Sequence, residues 1–147
     1  MSKKTTLRID YTADLDFSLT GISCGMKDYR LCFELNRALD LELERVEDLI
    51  LPLARPGAST IHSCFSCCGG EGEMYYLISN RDRNGAGYFV PEHRNLNFLF
   101  VITGEGGRHL HDSVTDEIRQ IPVVEAAFDV PPSGIKGADA FLFLLEF

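Results

Sequence analysis

Between Glu47 and Gly104 the chain reads as a succession of strand-length apolar stretches: "EDLILPLA", "STIHSCFSCC", "GEMYYLISN", "GYFVP" and "NLNFLFVITG". Each is bounded by Gly, Pro, Asn, Asp or Ser, so its backbone groups must find partners in other segments, which means a sheet. The "RDRNGAG" turn holds Asn84-Gly85, a dipeptide favoured in tight hairpins because it tolerates positive φ. It predicts antiparallel pairing between the strands that begin at Met74 and at Tyr88. Pro91 cannot donate to a ladder and closes the second of them.

Two helical periodicities flank this run. In "GMKDYRLCFELNRALDL", at about 100° per residue, Met26, Tyr29, Leu31, Cys32, Phe33, Leu35, Ala38 and Leu39 fill a wide apolar arc. Lys27, Arg30, Glu34 and Arg37 take the remainder. Asp28 falls inside the arc, but in the first turn, where a carboxylate suits the helix dipole. Asn36 has no such reason to be there. It is expected to be buried with its amide hydrogen-bonded, or to face a partner. The second helix carries Leu110, Val114, Ile118 and Ile121 on one stripe and ends at Pro122.

Further strands are expected in "TTLRIDYT", through Leu7 and Ile9, and in "DFSLTGIS", "VVEAAFDV" and the C-terminal "DAFLFLLEF". In that last strand Phe141, Phe143, Leu145 and Phe147 point one way and Leu142, Leu144 and Glu146 the other. The expectation is one α+β domain over residues 1–147: two layers, an antiparallel-rich sheet with two main helices packed on one face.

A net charge of −8 disfavours nucleic acid and anionic membrane as partners, because both demand a basic face. "MSKKTTLRIDY" has no apolar segment after its lysines, and the longest apolar run, "AFLFLL", is too short to span a bilayer. With five cysteines and no export signal, reduced thiols in a cytoplasm are the expectation.

Chemistry could reside in two places. In "IHSCFSCCGGEGEMYY", His62, Cys64, Cys67 and Cys68 are candidate metal ligands. A closed zinc site needs four donors, and Cys24 or Cys32 would have to complete it. As a strand, the segment sends His62, Cys64 and Cys68 to one face and Cys67 to the other, which splits the pair and favours core thiols. In "FLFVITGEGGRHLHDSV", Gly104, Gly106, Gly107, Arg108 and His109 are candidate anion-binding residues before the second helix. His109 takes the place of the last glycine of G-x-G-x-x-G and Glu105 would repel phosphate, so a flexible connector is expected instead. No Ser-His-Asp set or H-E-x-x-H is present, and no cofactor is expected.

Val90-Pro91-Glu92, three residues, then Leu96-Asn97-Phe98 resembles the signature of a bacterial family named for its motif, IPExxxVDY. Here Val replaces Ile, Leu replaces Val, Asn replaces Asp and Phe replaces Tyr. "GISCGMKDYRLCFELNRALDL" resembles that family's first helix and "YYLISNRDRNG" its hairpin. The resemblance runs from about Leu7 to Val130 and implies a small single-domain protein, with no catalytic residues to carry over. The signature reads as a corner: Pro91 stops one strand, Glu92 to Asn95 connect, and Leu96 and Phe98 turn inward. The function expected is a non-enzymatic interaction or binding domain. Its partner would be a second copy, as a homodimer, or another protein, met through the apolar C-terminus. The alternatives are a Cys/His metal binder and a phosphate or nucleotide binder.

Overall fold

In the computed structural model, which describes residues 17–53, 55–135 and 138–145, the strand-length stretches pair into a sheet. Its strands are β1 (Phe17–Ser23), β2 (Glu44–Arg45), β5 (Cys64–Cys68), β6 (Met74–Ser79), β7 (Phe98–Thr103) and β8 (Ala126–Asp129). They lie in the order β2-β5-β6-β7-β1-β8, every neighbouring pair antiparallel. β3 (Leu49–Pro52) and β4 (Ser59–His62) form a separate hairpin. Only Ser63 separates β4 from β5, so the chain changes sheets at that residue. The strand expected through Leu7 and Ile9 lies outside the described residues.

β7, "FLFVIT", sits in the middle and is buried on both sides. Its alternation divides the core: Phe98, Phe100 and Ile102 enter one hydrophobic cluster, Leu99 and Val101 the other. The first cluster is closed by both helices, α1 (Asp28–Leu39) and α2 (Glu105–Arg119), through Leu31, Cys32 and Leu35 and through Val114 and Ile118. Each large side chain removed from water there contributes about 1.5–3 kcal/mol. The fold is α+β, with both helices on one face of an antiparallel sheet. Among the described residues no helix is long and apolar enough to cross a membrane.

The apolar arc of α1 is narrower than its sequence suggests. Leu31 and Leu35 are fully buried, whereas Met26, Tyr29 and Phe33 are 42%, 65% and 55% exposed. Arg37 lies over the Phe33 ring, 5.8 Å from its centroid. Asn36 is hydrogen-bonded as expected but half-buried, not buried: its amide donates to the Leu43 carbonyl at 3.2 Å and accepts the Leu43 N–H at 2.9 Å.

The opposite sheet face corrects two expectations. "DAFLFLLEF" is not a strand: Ala138–Leu145 is a 3₁₀ segment laid over the second cluster. Phe141 is fully buried, stacked on Phe17 at 5.0 Å and edge-on to Phe89 at 5.2 Å. Phe143 packs edge-on to Tyr76 at 5.4 Å, so Phe141 and Phe143 both find their cover within the chain. Glu146 and Phe147 lie outside the described residues. Nor does the segment from Tyr88 pair with β6, whose partners are β5 and β7. The Asn84-Gly85 turn closes only a single bridge, Arg81 to Tyr88, with Gly85 at φ 76°. Beyond it Phe89 and Val90 plunge into the core.

Candidate functional site

The sulfur-bearing stretch is a hairpin. β5 and β6 pair with Cys64 opposite Ile78 and Cys67 opposite Tyr75, so Cys64 enters the second cluster while Cys67 packs against the helix-side one. Burial pushes the Cys64 thiol up to about 12. Cys68 is exposed, and all five cysteines are free thiols. His62 is fully buried. Its Nδ1 is 2.8 Å from the Ser79 carbonyl and its Nε2 2.8 Å from the Thr60 hydroxyl, so neither ring nitrogen is left for a metal. Burial holds its pKa below the ordinary imidazole value. Among the described residues no three His, Cys, Asp or Glu side chains gather where a metal could be held.

The turn of this hairpin explains the glycines after Cys68. Gly69 donates to the Glu73 carbonyl at 2.7 Å, and the Glu73 carboxylate folds back over the turn. It accepts the Glu71 N–H at 2.8 Å and the Tyr75 hydroxyl at 2.9 Å. A Cβ at position 69 would collide with that carboxylate. Backbone N–H groups of Glu73 and Glu71 hold its pKa below the usual carboxylate range. The neighbouring cleft of about 730 Å³ is lined by Asp40, Glu42, Glu44 and Glu73 together with Cys67 and Cys68.

The Val90-to-Phe98 signature is a corner organised by Asn80. Asn80 is fully buried; its side-chain amide donates to the carbonyls of His93 (2.9 Å) and Leu96 (2.8 Å) and accepts the Val90 N–H at 2.7 Å. Its backbone binds Phe89 and Asn97. These bonds take up the backbone groups that a strand from Tyr88 would have offered to β6. Pro91–His93 forms a 3₁₀ turn, Leu96 and Phe98 are buried, and the Asn97 carbonyl oxygen of the side chain accepts the Cys24 N–H at 2.8 Å. Glu92 is exposed on the turn. Every part of this arrangement shapes backbone.

The glycine-rich stretch is not a connector. α2 begins at Glu105, with Gly104 at φ 86° as its cap, so Gly106, Gly107, Arg108 and His109 belong to the helix itself. His109 is exposed. A helix start alone makes no ligand site.

A feature absent from the expectations lies where the chain changes sheets. A cavity of about 440 Å³ is lined by Lys27 at the start of α1, Arg45 of β2, and Arg81 and Arg83 of the turn that follows β6. Asp28 is the lone carboxylate among its lining residues, in a chain whose net charge is −8. An adjoining cavity of about 670 Å³ shares Lys27, Ser79, Arg81 and Arg83. Among the described residues Lys27 and Arg81 carry no ion pair. Arg83 pairs with Asp48, and Arg45 with Asp48 at 2.6 Å and with Asp28 at 3.9 Å.

Ser63 also lines this cavity. It is 8% exposed, and its Oγ is buried without a hydrogen-bond partner. An orphaned buried hydroxyl is uncommon, because it gives up water without compensation. The turn that presents the arginines is firmly held. Asp82 accepts the Ile61 N–H at 2.6 Å and the Ala86 N–H at 2.8 Å, and Arg83 donates its backbone N–H to the Ile61 carbonyl at 2.9 Å. Those N–H groups keep the Asp82 carboxyl below its usual pKa, so it remains an anion committed to the backbone. The arrangement can bind an oxyanion: Lys27 and Arg81 at the rim with no counter-ion among the described residues, Ser63 in the wall, and Ile61 and Phe98 as apolar lining.

The sequence held one signal for this site, two arginines in "NRDRNG" beside a tight turn. No family model, curated protein or solved structure matches the chain.

Proposed function

We propose that this chain is a non-enzymatic binding domain whose ligand is a small oxyanion, phosphate or carboxylate in character, held in the cleft between α1, β2 and the turn that follows β6. The observation that carries the reading is a cavity at whose rim Lys27 and Arg81 have no counter-ion among the described residues, with Ser63, whose buried hydroxyl has no partner among them, in its wall. Cavities of a few hundred Å³ with a few convergent polar groups are the ordinary form of small-molecule sites.

Isothermal titration with inorganic phosphate and with succinate tests the reading. Binding should weaken as salt is raised, since the rim cations are exposed to screening. Arg81→Gln should weaken it by roughly tenfold, the worth of one charge-assisted contact. Absence of binding by either anion, or Arg81→Gln binding as tightly as the parent, would overturn the proposal.

A second reading, self-association, keeps one support. Met26, Tyr29 and Phe33 leave an apolar strip exposed at the first turns of α1 and just before it, although Phe141 and Phe143 of the C-terminal segment are covered by their own chain. Light scattering after size exclusion tests it: a monomer at high concentration would end this reading.

A further inference from the structure

Two of the cleft's arginines are already engaged with an oxyanion, and that oxyanion belongs to the chain. Asp48 lies between β2 and β3. Its Oδ1 accepts from Arg45 Nη2 at 2.6 Å, and its Oδ2 accepts from Arg83 Nη2. The Arg45 hydrogen bond, with the Arg83 one behind it, holds the carboxyl below the usual aspartate range. The two guanidinium groups come from elements far apart in sequence and converge on one side chain. Guanidinium matches carboxylate and phosphate in the same planar, forked geometry. Asp48 therefore displays what the Arg45–Arg83 pair recognises.

Resting on the binding function proposed above, we infer that Asp48 is an internal competitor for the cleft, and that the ligand carries two anionic groups. One sits at Lys27 and Arg81; the other takes the place of the Asp48 carboxylate between Arg45 and Arg83. A tethered carboxylate acts at a high effective concentration, so a ligand with one anionic group does not dislodge it and settles at the free cations. A two-headed ligand is different. Once its first group is bound, the second competes on equal, intramolecular terms, and displaced Asp48 can return to water because it is part-exposed, at 24%.

The probes are inorganic phosphate, with one head, and pyrophosphate, with two, titrated calorimetrically into the full chain. Asp48→Asn keeps the shape and removes the competing charge. It should tighten pyrophosphate by roughly tenfold, one charged contact released, and phosphate by distinctly less. Asp116→Asn, the same charge change on the exposed side of α2, should leave both affinities alone. If Asp48→Asn brings no gain, or Asp116→Asn brings an equal one, the competitor role is wrong even though the cleft binds anions. If neither the parent nor Asp48→Asn binds either probe, the binding function falls with it. Phosphate binding by Asp48→Asn alone would overturn the inference too, because phosphate must settle at the free cations of the parent with Asp48 still in place. Should Asp48→Asn fail to fold, Arg83→Gln decides: it must weaken pyrophosphate more than phosphate, and equal losses overturn the inference.

Discussion

His62 and Ser63 are adjacent, both buried and both polar, yet their surroundings differ in kind. His62 turns into the sheet, where both ring nitrogens are within 2.8 Å of a partner and the ring meets Phe89 edge-on at 5.2 Å. Ser63 lines the cleft, and its buried hydroxyl has no partner among the described residues. The same division holds on a larger scale. In the hairpin around the cysteines and in the corner around Asn80, donors and acceptors are consumed locally, and such networks specify structure. In the cleft they are left over. A polar group that saturates itself within the chain has little to offer a ligand; one that does not is where a ligand gains most. The residues with the strongest look of chemistry, a histidine beside a C-x-x-C, are accordingly the less reactive ones.

The harshest way to break the comparison is to strip the saturated side. Asn80→Ala strands the Leu96 carbonyl and the Val90 N–H in the core and leaves the part-buried His93 carbonyl with the Leu96 N–H alone. At about 1–3 kcal/mol for a stranded buried group, with some relief from relaxation, the loss should be about 3–5 kcal/mol in denaturant melts. That is a large share of the stability of a small domain. A loss under about 1 kcal/mol would mean that the corner is held by packing of Phe89, Val90 and Leu96, not by Asn80.

A gentler probe is pH. Burial keeps His62 neutral when folded, its pKa below the ordinary value of 6.5. Unfolded, it takes up a proton once pH drops through about 6.5, so the unfolded state then binds more protons than the folded one. Its contribution is therefore complete above that pH. It is lost as pH falls from there toward the lowered folded value, at up to about 1.4 kcal/mol per pH unit. NMR titration of the ring isolates this residue from the other histidines. If the folded ring titrates at or above 6.5, its nitrogens are not saturated and the contrast with Ser63 weakens.

Much of the saturated side was legible in advance, and the cleft was not. Period-two alternation placed Cys64 and Cys67 on opposite faces, and period 3.6 located Leu31, Leu35, Val114 and Ile118 as core. Asn36 stood out as the polar residue without an excuse in an apolar arc. Where reading failed, competition was the cause. Tyr88 to Val90 has strand composition, but Asn80 claims its backbone first. "AFLFLL" alternates in no way that separates a strand from a 3₁₀ segment, and an unbroken apolar run fits any buried shape. The cleft is built from Lys27, Arg45, Ser63, Arg81 and Arg83, which come from separate parts of the chain. Each alone reads as an ordinary surface charge or strand serine; only the fold turns them into a site.

The smallest expected effect is the sharpest. Ser63→Ala removes a hydroxyl that bonds to nothing, so no partner is stranded and one desolvated polar group disappears. Stability should change by less than about 0.5 kcal/mol, and in the favourable direction if in either. Thr60→Ala, one residue before Ile61 on the same strand, deletes the hydroxyl 2.8 Å from His62 Nε2 and should cost about 1–2 kcal/mol. The pair isolates satisfaction as the variable, since both hydroxyls are buried. If Ser63→Ala costs as much as Thr60→Ala, the Ser63 hydroxyl has a structural partner after all, and the cleft loses the feature that marks it as a site. If stability holds while phosphate binding weakens several-fold, the hydroxyl faces the ligand, and the two neighbours divide structure from function between them.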